Sequence, residues 1–344
     1  MARERIIDAQ SAGDEEDTYN LSLRPASLAQ CIGQKELLDR LAISIRAARQ
    51  RNEPLDHVLL HGPPGLGKTT LAYVIAHEMG ARIRQTSGPA LTKPSDLVGM
   101  LTNLQRNDVV FIDEVHRLPA IVEEFIYPAM EDFRVDFTVD SGMHARTINL
   151  PLKQFTLIGA TTRAGLLTAP LRARFGIVHH LDFWPTEDLL ERARRTADML
   201  GIKYQEQALV MLAARSRGTP RITNRLLRRV RDFAQIKADG QLTEPVVTKA
   251  LELEGIDQDG LDRLDHAFLK ALIETYKGGP AGIESLAATL GEERDTLEDV
   301  IEPFLLQRGF LARTRRGRVA TAAAYKHLGL EVPPAGSSEE TSLF

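Results

Sequence analysis

The sequence predicts an α/β domain, a parallel sheet with helices on both faces, followed by an all-α domain and a C-terminal unit of three helices and a basic hairpin. Three patterns carry that expectation. Apolar runs at residues 58–60, 109–112 and 155–160 have strand length and alternate with segments of helical spacing, as in a sheet buried on both faces. Beyond Trp184-Pro185 such runs stop, and residues 187–255 read as helices only. From Leu261, three helical segments lead into short apolar runs flanking Arg313-Thr314-Arg315-Arg316-Gly317-Arg318.

Composition bounds the possibilities. A chain of 344 residues with 26% charged and 43% hydrophobic residues is an ordinary globular protein with room for two or three domains. No apolar run approaches the ~20 residues of a membrane span, and no signal-peptide pattern opens the chain. One cysteine, Cys31, excludes an internal disulfide and a cysteine-based zinc site and suits a cytoplasmic protein. The net charge of −4 leaves nucleic-acid binding to local basic patches.

In chain order, residues 1–20 are polar, with the acidic run Asp14-Glu15-Glu16-Asp17, and read as a mobile tail. A helix follows the turn Ile32-Gly33-Gln34, its stripe made by Leu37, Leu38, Leu41, Ala42 and Ile45. The strand at 58–60 then runs into Gly62-Pro63-Pro64-Gly65-Leu66-Gly67-Lys68-Thr69-Thr70, and a helix continues to Gly80. This fits G-x-x-x-x-G-K-[ST] between a strand and a helix, the context that makes the motif a phosphate loop. Gly65, Gly67 and their neighbours let backbone N–H groups close on phosphates, and Lys68 supplies charge to the β- and γ-phosphates. Thr69 would ligate Mg²⁺, and Thr70 would bond the α-phosphate. The motif predicts ATP as ligand, with Mg²⁺.

The strand at 109–112 ends in Asp113-Glu114, at the C-terminal strand end where ligands gather in open α/β sheets. Asp113 would hold Mg²⁺ through water and Glu114 would act as general base; alone, the pair would read as a helix N-cap. Phe133, Val135, Phe137 and Val139 alternate with polar residues, and Ser141-Gly142 turns into a return strand with Ile148 and Leu150. This hairpin breaks the α/β rhythm and is expected to project, either as plain structure or as a partner surface. The strand at 155–160 ends at Thr161-Thr162, where a hydroxyl can orient water, although threonine also commonly caps strand ends. Arg172 and Arg174 close a short helix; in a ring, such an arginine can enter a neighbour's site. Arg221 lies in the first turn of a helix begun at Pro220, where a cation opposes the dipole and invites an anion. Arg225, Arg228, Arg229 and Arg231 read as a solvated face.

Three helices and a basic hairpin make the layout of a winged helix. The third helix carries Glu293, Asp295, Glu298, Asp299 and Glu302, so contact with a phosphate backbone through the wing is cheaper than entry of that helix into a groove. An exposed basic turn without a partner is the alternative. The tail at 331–344 reads as disordered.

Leu23-Arg24-Pro25, GPPGLGKTT, FIDEVHR, GATTRAG, LRARFGI, GTPRITNRLLRR and GEERDTLEDVIEP, taken in order, resemble the RuvB family of AAA+ ATPases, bacterial motors of Holliday-junction branch migration. The resemblance runs from about Leu21 to Leu330. It implies an ATPase domain at 21–184, a helical lid at 185–255 and a winged-helix domain at 258–330. It further implies a homohexamer on duplex DNA, with the junction-binding protein RuvA as partner and RuvC as resolvase. It makes Thr161 or Thr162 the first sensor, Arg174 a finger acting in trans and Arg221 the second sensor. Leu23, Arg24 and Trp184 would lie at the base, and Glu131, Asp132 and Phe133 would border the nucleotide at the subunit interface. Ile148 and Leu150 would dock on RuvA, and Arg294, Arg313, Arg316 and Arg318 would meet DNA. The chain departs from the family pattern at Trp184 (usually tyrosine), at Arg315 (usually proline) and at Cys31 (commonly aromatic). A clamp-loader-like or regulatory ATP switch is the alternative function.

Overall fold

The computed structural model describes residues 23–139 and 146–332; the expected N-terminal tail, most of the C-terminal one and the turn Ser141-Gly142 lie outside the described residues. The described chain divides into two compact units, residues 23–196 with 218–224, and residues 197–217 with 225–332.

The first unit contains α1 (Lys35–Arg51), β1 (Val58–His61), α2 (Lys68–Met79), β2 (Ile83–Ser87), α3 (Pro94–Thr102) and β3 (Val109–Asp113). It continues with α4 (Ala120–Glu131), β4 (Arg134–Val139), β5 (Arg146–Pro151), β6 (Thr156–Thr161), α5 (Ala169–Ala173) and β7 (Ile177–His180). Five strands form a parallel sheet in the order β2-β3-β6-β1-β7. The apolar runs of β1, β3 and β6 are continuous because these central strands are buried on both sides. Val58, Leu60, Val109 and Phe111 pack with α1 and α2, while Leu59, Val110 and Ile112 face the core made with α3 and α4. β7 adds a strand to those expected. Its sequence Ile-Val-His-His is only half-buried at the sheet edge, so it shows no apolar run.

β4 and β5 form a separate antiparallel pair, with Val135 opposite Leu150 and Phe137 opposite Ile148. Val135 is fully buried in the α3–α4 core, whereas Leu150 opposite it is exposed, so β4 is the strand of the pair that meets the core at this rung. This agrees with the expected hairpin.

α6 (Thr186–Met199) and α8 (Pro220–Lys237) span the division between the units. The second unit holds α7 (Glu206–Ala214) and α9 (Glu244–Leu253), together with the two-residue parallel strands β8 (Lys203–Tyr204) and β9 (Gln241–Leu242), which the helices-only reading lacked. α7 ends at Ala214, and beyond it Arg217 has φ +54° and is buried, its guanidinium on the Phe304 ring at 4.4 Å, paired with Asp265 and bonded to Gly260 O at 2.9 Å. The winged helix comprises α10 (Arg263–Lys270) with a π-helical continuation over Ala271–Thr275, and α11 (Ile283–Leu290). α12 then runs as Arg294–Thr296, a π-helical turn Leu297–Ile301 and Glu302–Gln307, before β10 (Leu311–Thr314), β11 (Gly317–Ala320) and α13 (Ala322–His327). α10 is capped by Asp262, whose carboxylate accepts from the N–H groups of Leu264 and Asp265. α13 is an addition to the expected three helices and hairpin.

Candidate functional site

β1 lies between β6 and β7, while α2 carries the chain away to β2 at the opposite edge, so β1 marks the switch point where a crevice opens beyond the strand ends. The loop that fills this place depends on two glycines. Gly62 has φ +141°, and a Cβ there would meet Leu181 O at 2.4 Å. Gly67, at φ +98°, caps α2 and turns the following N–H groups toward the crevice.

Lys68 is buried, its Nζ donating to Gly62 O at 2.8 Å and Pro63 O at 2.9 Å. Burial pushes its pKa down to about 8; Asp113 and Glu114 work against that shift and Arg221 adds to it. An arriving anion would recover the lost charge stabilisation. Thr69 Oγ1 donates to Asp113 Oδ2 at 3.3 Å, which sets a hydroxyl and a carboxylate side by side, a hard-oxygen donor set that fits Mg²⁺. Glu114 has φ +48°, and its N–H donates to Asp113 Oδ1 at 2.9 Å, so the β3 end turns sharply and presents two carboxylates in succession.

The pocket is lined at one end by Gly65, Gly67, Lys68, Thr69, Thr70, Asp113, Glu114, Thr162 and Arg221, and at the other by Arg24, Ile32, Gly33, Leu38 and Trp184. Eleven expected residues therefore share one cavity. At the apolar end the Trp184 ring lies against Gly33, where an added Cβ would sit 3.0 Å from the indole. Arg24 lies over the Tyr73 ring at 4.6 Å. Two buried donors, Arg24 Nη1 and Trp184 Nε1, have no hydrogen-bond partner among the described residues, which fits an end that receives a polar heterocycle. Cys31 also lines this end, and burial raises its thiol to about 11, so it stays a neutral, small apolar contact.

Thr161 and Thr162 separate. Thr161 is fully buried, accepts from Arg163 N–H at 3.0 Å, and lies 2.8 Å from His116 Nδ1. Thr162 lines the pocket and donates to Glu114 Oε2 at 3.5 Å. His116, without a role on sequence grounds, is the residue that pattern reading missed: its Nδ1 is also 3.2 Å from Glu114 Oε2. The imidazole thus joins the end of β6 to the candidate base, and no spacing rule connects residues 116 and 161.

Leu23, Glu131, Asp132, Phe133 and Arg174 do not line this pocket. Leu23 is buried, with its carbonyl accepting from Arg192 at 3.2 Å. Arg174 pairs with Glu131 at 3.1 Å, donates to Pro170 O at 2.8 Å and covers the Tyr127 ring at 4.3 Å. Asp132 pairs with Arg134 at 3.2 Å, and Phe133 meets Phe155 edge-on at 5.8 Å. The expected finger and the expected interface stretch therefore form a second cluster, joined by the Arg174–Glu131 contact.

The wing corrects one expectation. Arg318 is buried, bonded to Glu302 through Nε at 3.1 Å and Nη2 at 2.8 Å, and to Glu298 at 3.4 Å. The cause is register: β11 pairs with β10 on one side and with Ala281 on the other, so Arg318 stands on an inner strand facing α12. Arg313, Arg315 and Arg316 remain exposed, Arg313 lying 3.5 Å from Glu302. Arg294 is exposed but held by Glu298 at 3.2 Å and Glu284 at 3.1 Å. Of the hairpin pair, Leu150 is exposed; the side chain of Ile148 lies outside the described residues. No helix among the described residues is long and apolar enough to cross a membrane.

Comparison with known proteins places this geometry. A model of the Holliday junction DNA helicase RuvB P-loop domain matches residues 23–181, the RuvB AAA lid domain matches 184–257, and the RuvB C-terminal winged helix domain matches 258–329. A mutant of Thermotoga maritima RuvB is 50% identical with a TM-score of 0.84, covering 90% of this chain and 100% of that one. The Thermotoga maritima RuvB Holliday junction branch migration motor is 51% identical with a TM-score of 0.82, covering 90% and 99%. With half of its residues shared over nine-tenths of its length, and with all three domains matched, this chain belongs to the RuvB family of AAA+ P-loop ATPases, the family of the Holliday junction branch migration motor.

Proposed function

We propose that this chain is the subunit of an ATP-driven ring that translocates duplex DNA and so drives Holliday-junction branch migration in recombination and repair. The observation that carries this reading is the division of charge between two places in the ATPase unit. The pocket gathers Lys68, Asp113, Glu114, Thr162 and Arg221, while Arg174 belongs to a separate cluster with Glu131. One chain thus supplies the cradle and the base, and the finger acts on a neighbour's nucleotide.

Glu114 takes a proton from the attacking water, with Thr162 and His116 holding its carboxylate. Lys68 and Arg221 bear on the phosphates, and Arg174 of the adjoining subunit meets the charge that develops on the γ-phosphate. Thr69 and Asp113 are the residues that would hold Mg²⁺, which neutralises phosphate charge when bound. Arg24 and Trp184 receive the base. Because Arg221 comes from the start of α8, its grip on the nucleotide couples ATP turnover to movement of the helices that follow. The exposed Arg313, Arg315 and Arg316 take DNA phosphates with no base readout, as a translocating ring needs. The hairpin with Leu150 is the docking surface for the junction-binding partner RuvA, and RuvC is the associated resolvase.

The test is ATP-dependent separation of a synthetic four-way junction into duplex arms, with and without RuvA. Movement that requires ATP and is enhanced by RuvA supports the motor. ATP hydrolysis and DNA binding without junction movement, even with RuvA, would instead indicate a clamp-loader-like switch.

A further inference from the structure

Outside the nucleotide site, one group among the described residues brings three metal-ligating side chains to a point. Asp257 precedes the winged helix, His266 lies on α10, and His327 closes α13. His266 Nε2 and His327 Nε2 approach the same oxygen, Asp257 Oδ2, at 2.9 and 2.8 Å. The three donor atoms all lie within 4.8 Å of one another, and all three residues are partly buried. The imidazole rings are nearly parallel, 25° apart with centroids separated by 5.5 Å.

The surroundings fix the donors in the way a metal site requires. Asp257 Oδ1 accepts the N–H groups of Asp259 and Leu261 at 2.8 and 2.9 Å, which leaves Oδ2 as the oxygen presented to the histidines. His327 Nδ1 lies 3.1 Å from Asp259 Oδ2, so with a proton held there Nε2 would be the nitrogen that binds a metal, giving up its hydrogen bond to Asp257 Oδ2. A carboxylate behind a ligating imidazole is the usual outer support of a bound metal. Asp259 is itself held by Arg308. Two imidazoles and one carboxylate suit a borderline cation such as Zn²⁺, Ni²⁺ or Co²⁺ over Mg²⁺ or Ca²⁺, which prefer all-oxygen sets. In a tetrahedral site with bonds of about 2.0–2.1 Å the donors stand about 3.4 Å apart, so Asp257 Oδ2 would withdraw by roughly half an ångström from each nitrogen. A water would complete the set as fourth ligand.

We propose that Asp257, His266 and His327 form a site for a divalent transition-metal cation, Zn²⁺ being the first candidate, which ties the entry loop of the winged helix to its first and last helices. Binding one such ion to the folded state alone would stabilise the DNA-binding head in proportion to the logarithm of metal concentration over Kd.

The experiment uses the full-length protein, stripped with a chelator and titrated with ZnCl₂ and, separately, with CoCl₂. The expected result is one equivalent bound at micromolar or tighter affinity, a Co²⁺ absorption spectrum of tetrahedral intensity, and a thermal transition that rises with metal. His266→Gln keeps a hydrogen bond to Asp257 while removing the imidazole, so it should fold yet bind at least tenfold more weakly; His327→Gln should do the same. His77→Ala, on α2 of the first unit, should change nothing. Absence of stoichiometric binding in the wild type, a Co²⁺ spectrum of octahedral weakness, or affinity unchanged in both glutamine variants would overturn the proposal and leave the cluster as a hydrogen-bonded clasp.

Discussion

Two buried cations, Lys68 in the phosphate loop and Arg318 in the wing, are used differently. Lys68 is buried against carbonyls, with the carboxylates Asp113 and Glu114 near enough to favour its charge but not bonded to it in a fork. Arg318 is equally buried, but Glu302 meets it with two hydrogen bonds from a helix of the same domain. The first cation is kept for an incoming anion; the second is already satisfied. Burial therefore does not separate a ligand-binding cation from a structural one. The geometry of the nearest acid does.

Removing cations one at a time tests that difference, and the largest effect is expected at the ATP site. Lys68→Ala should lose nucleotide binding and hydrolysis together. Arg174→Ala should retain nucleotide affinity while hydrolysis falls by about 10³–10⁵, because on the proposed reading Arg174 would act only on the transition state. Equilibrium binding of a fluorescent nucleotide beside steady-state phosphate release measures both. A monomeric Arg174→Ala protein with full turnover would remove the case for a shared site.

The counterpart at the wing is Arg318→Ala. It leaves Glu302, 2% exposed, as a buried carboxylate stripped of its fork, and should destabilise the winged helix by about 3–5 kcal/mol. Chemical denaturation followed through the winged-helix transition reads this directly. A change in DNA affinity without a change in stability would return Arg318 to the phosphate-binding set.

What was legible in the sequence follows the same division. Gly62, Gly67, Lys68 and Thr69 could be placed because the motif encodes a local backbone path, and Asp113 and Glu114 because a strand end in an α/β sheet has a fixed direction. The alternation behind β4 and β5 was equally local. Arg318 could not be told from Arg313 or Arg316, since only the bridge from Ala281 makes β11 an inner strand, and that pairing spans 37 positions from Ala281 to Arg318. His116 and β7 escaped for the same reason: their meaning lies in contacts with Thr161 and β1 that no local pattern records.

Of the wing arginines, Arg313, Arg315 and Arg316 remain exposed. Each that contacts a phosphate should contribute about 0.9 to the slope of log affinity against log salt on duplex DNA. Neutralising all three should flatten the slope by as much as about 2.7, while Arg315→Pro alone should reduce it by at most about 0.9. An unchanged slope in the triple variant would exclude the wing as the phosphate contact. Arg294, held between Glu298 and Glu284, should contribute less than its exposure suggests, since binding DNA requires it to leave two carboxylates.

The smallest effect is the one that most directly separates the two kinds of cation. With the Lys68 pKa pushed down to about 8, about half of the ammonium groups are deprotonated at pH 8, and a bound triphosphate favours the charged form. Nucleotide binding at pH 8 should therefore take up about half a proton, falling to about a tenth at pH 7. The sign follows from the direction of the shift. The folded protein holds this proton less tightly than the unfolded chain does, so Lys68 penalises folding below about pH 8 and the penalty disappears as pH rises toward the ordinary lysine value of 10.5. Titration calorimetry with a non-hydrolysable ATP analogue and Mg²⁺, repeated in buffers of different ionisation enthalpy, measures the uptake at pH 7 and at pH 8, the Mg²⁺-bound triphosphate being fully ionised at both. Zero uptake at pH 8 would mean that the loop carbonyls and Asp113 hold Lys68 fully charged before nucleotide arrives. In that case its charge would already be satisfied within the fold, as that of Arg318 is.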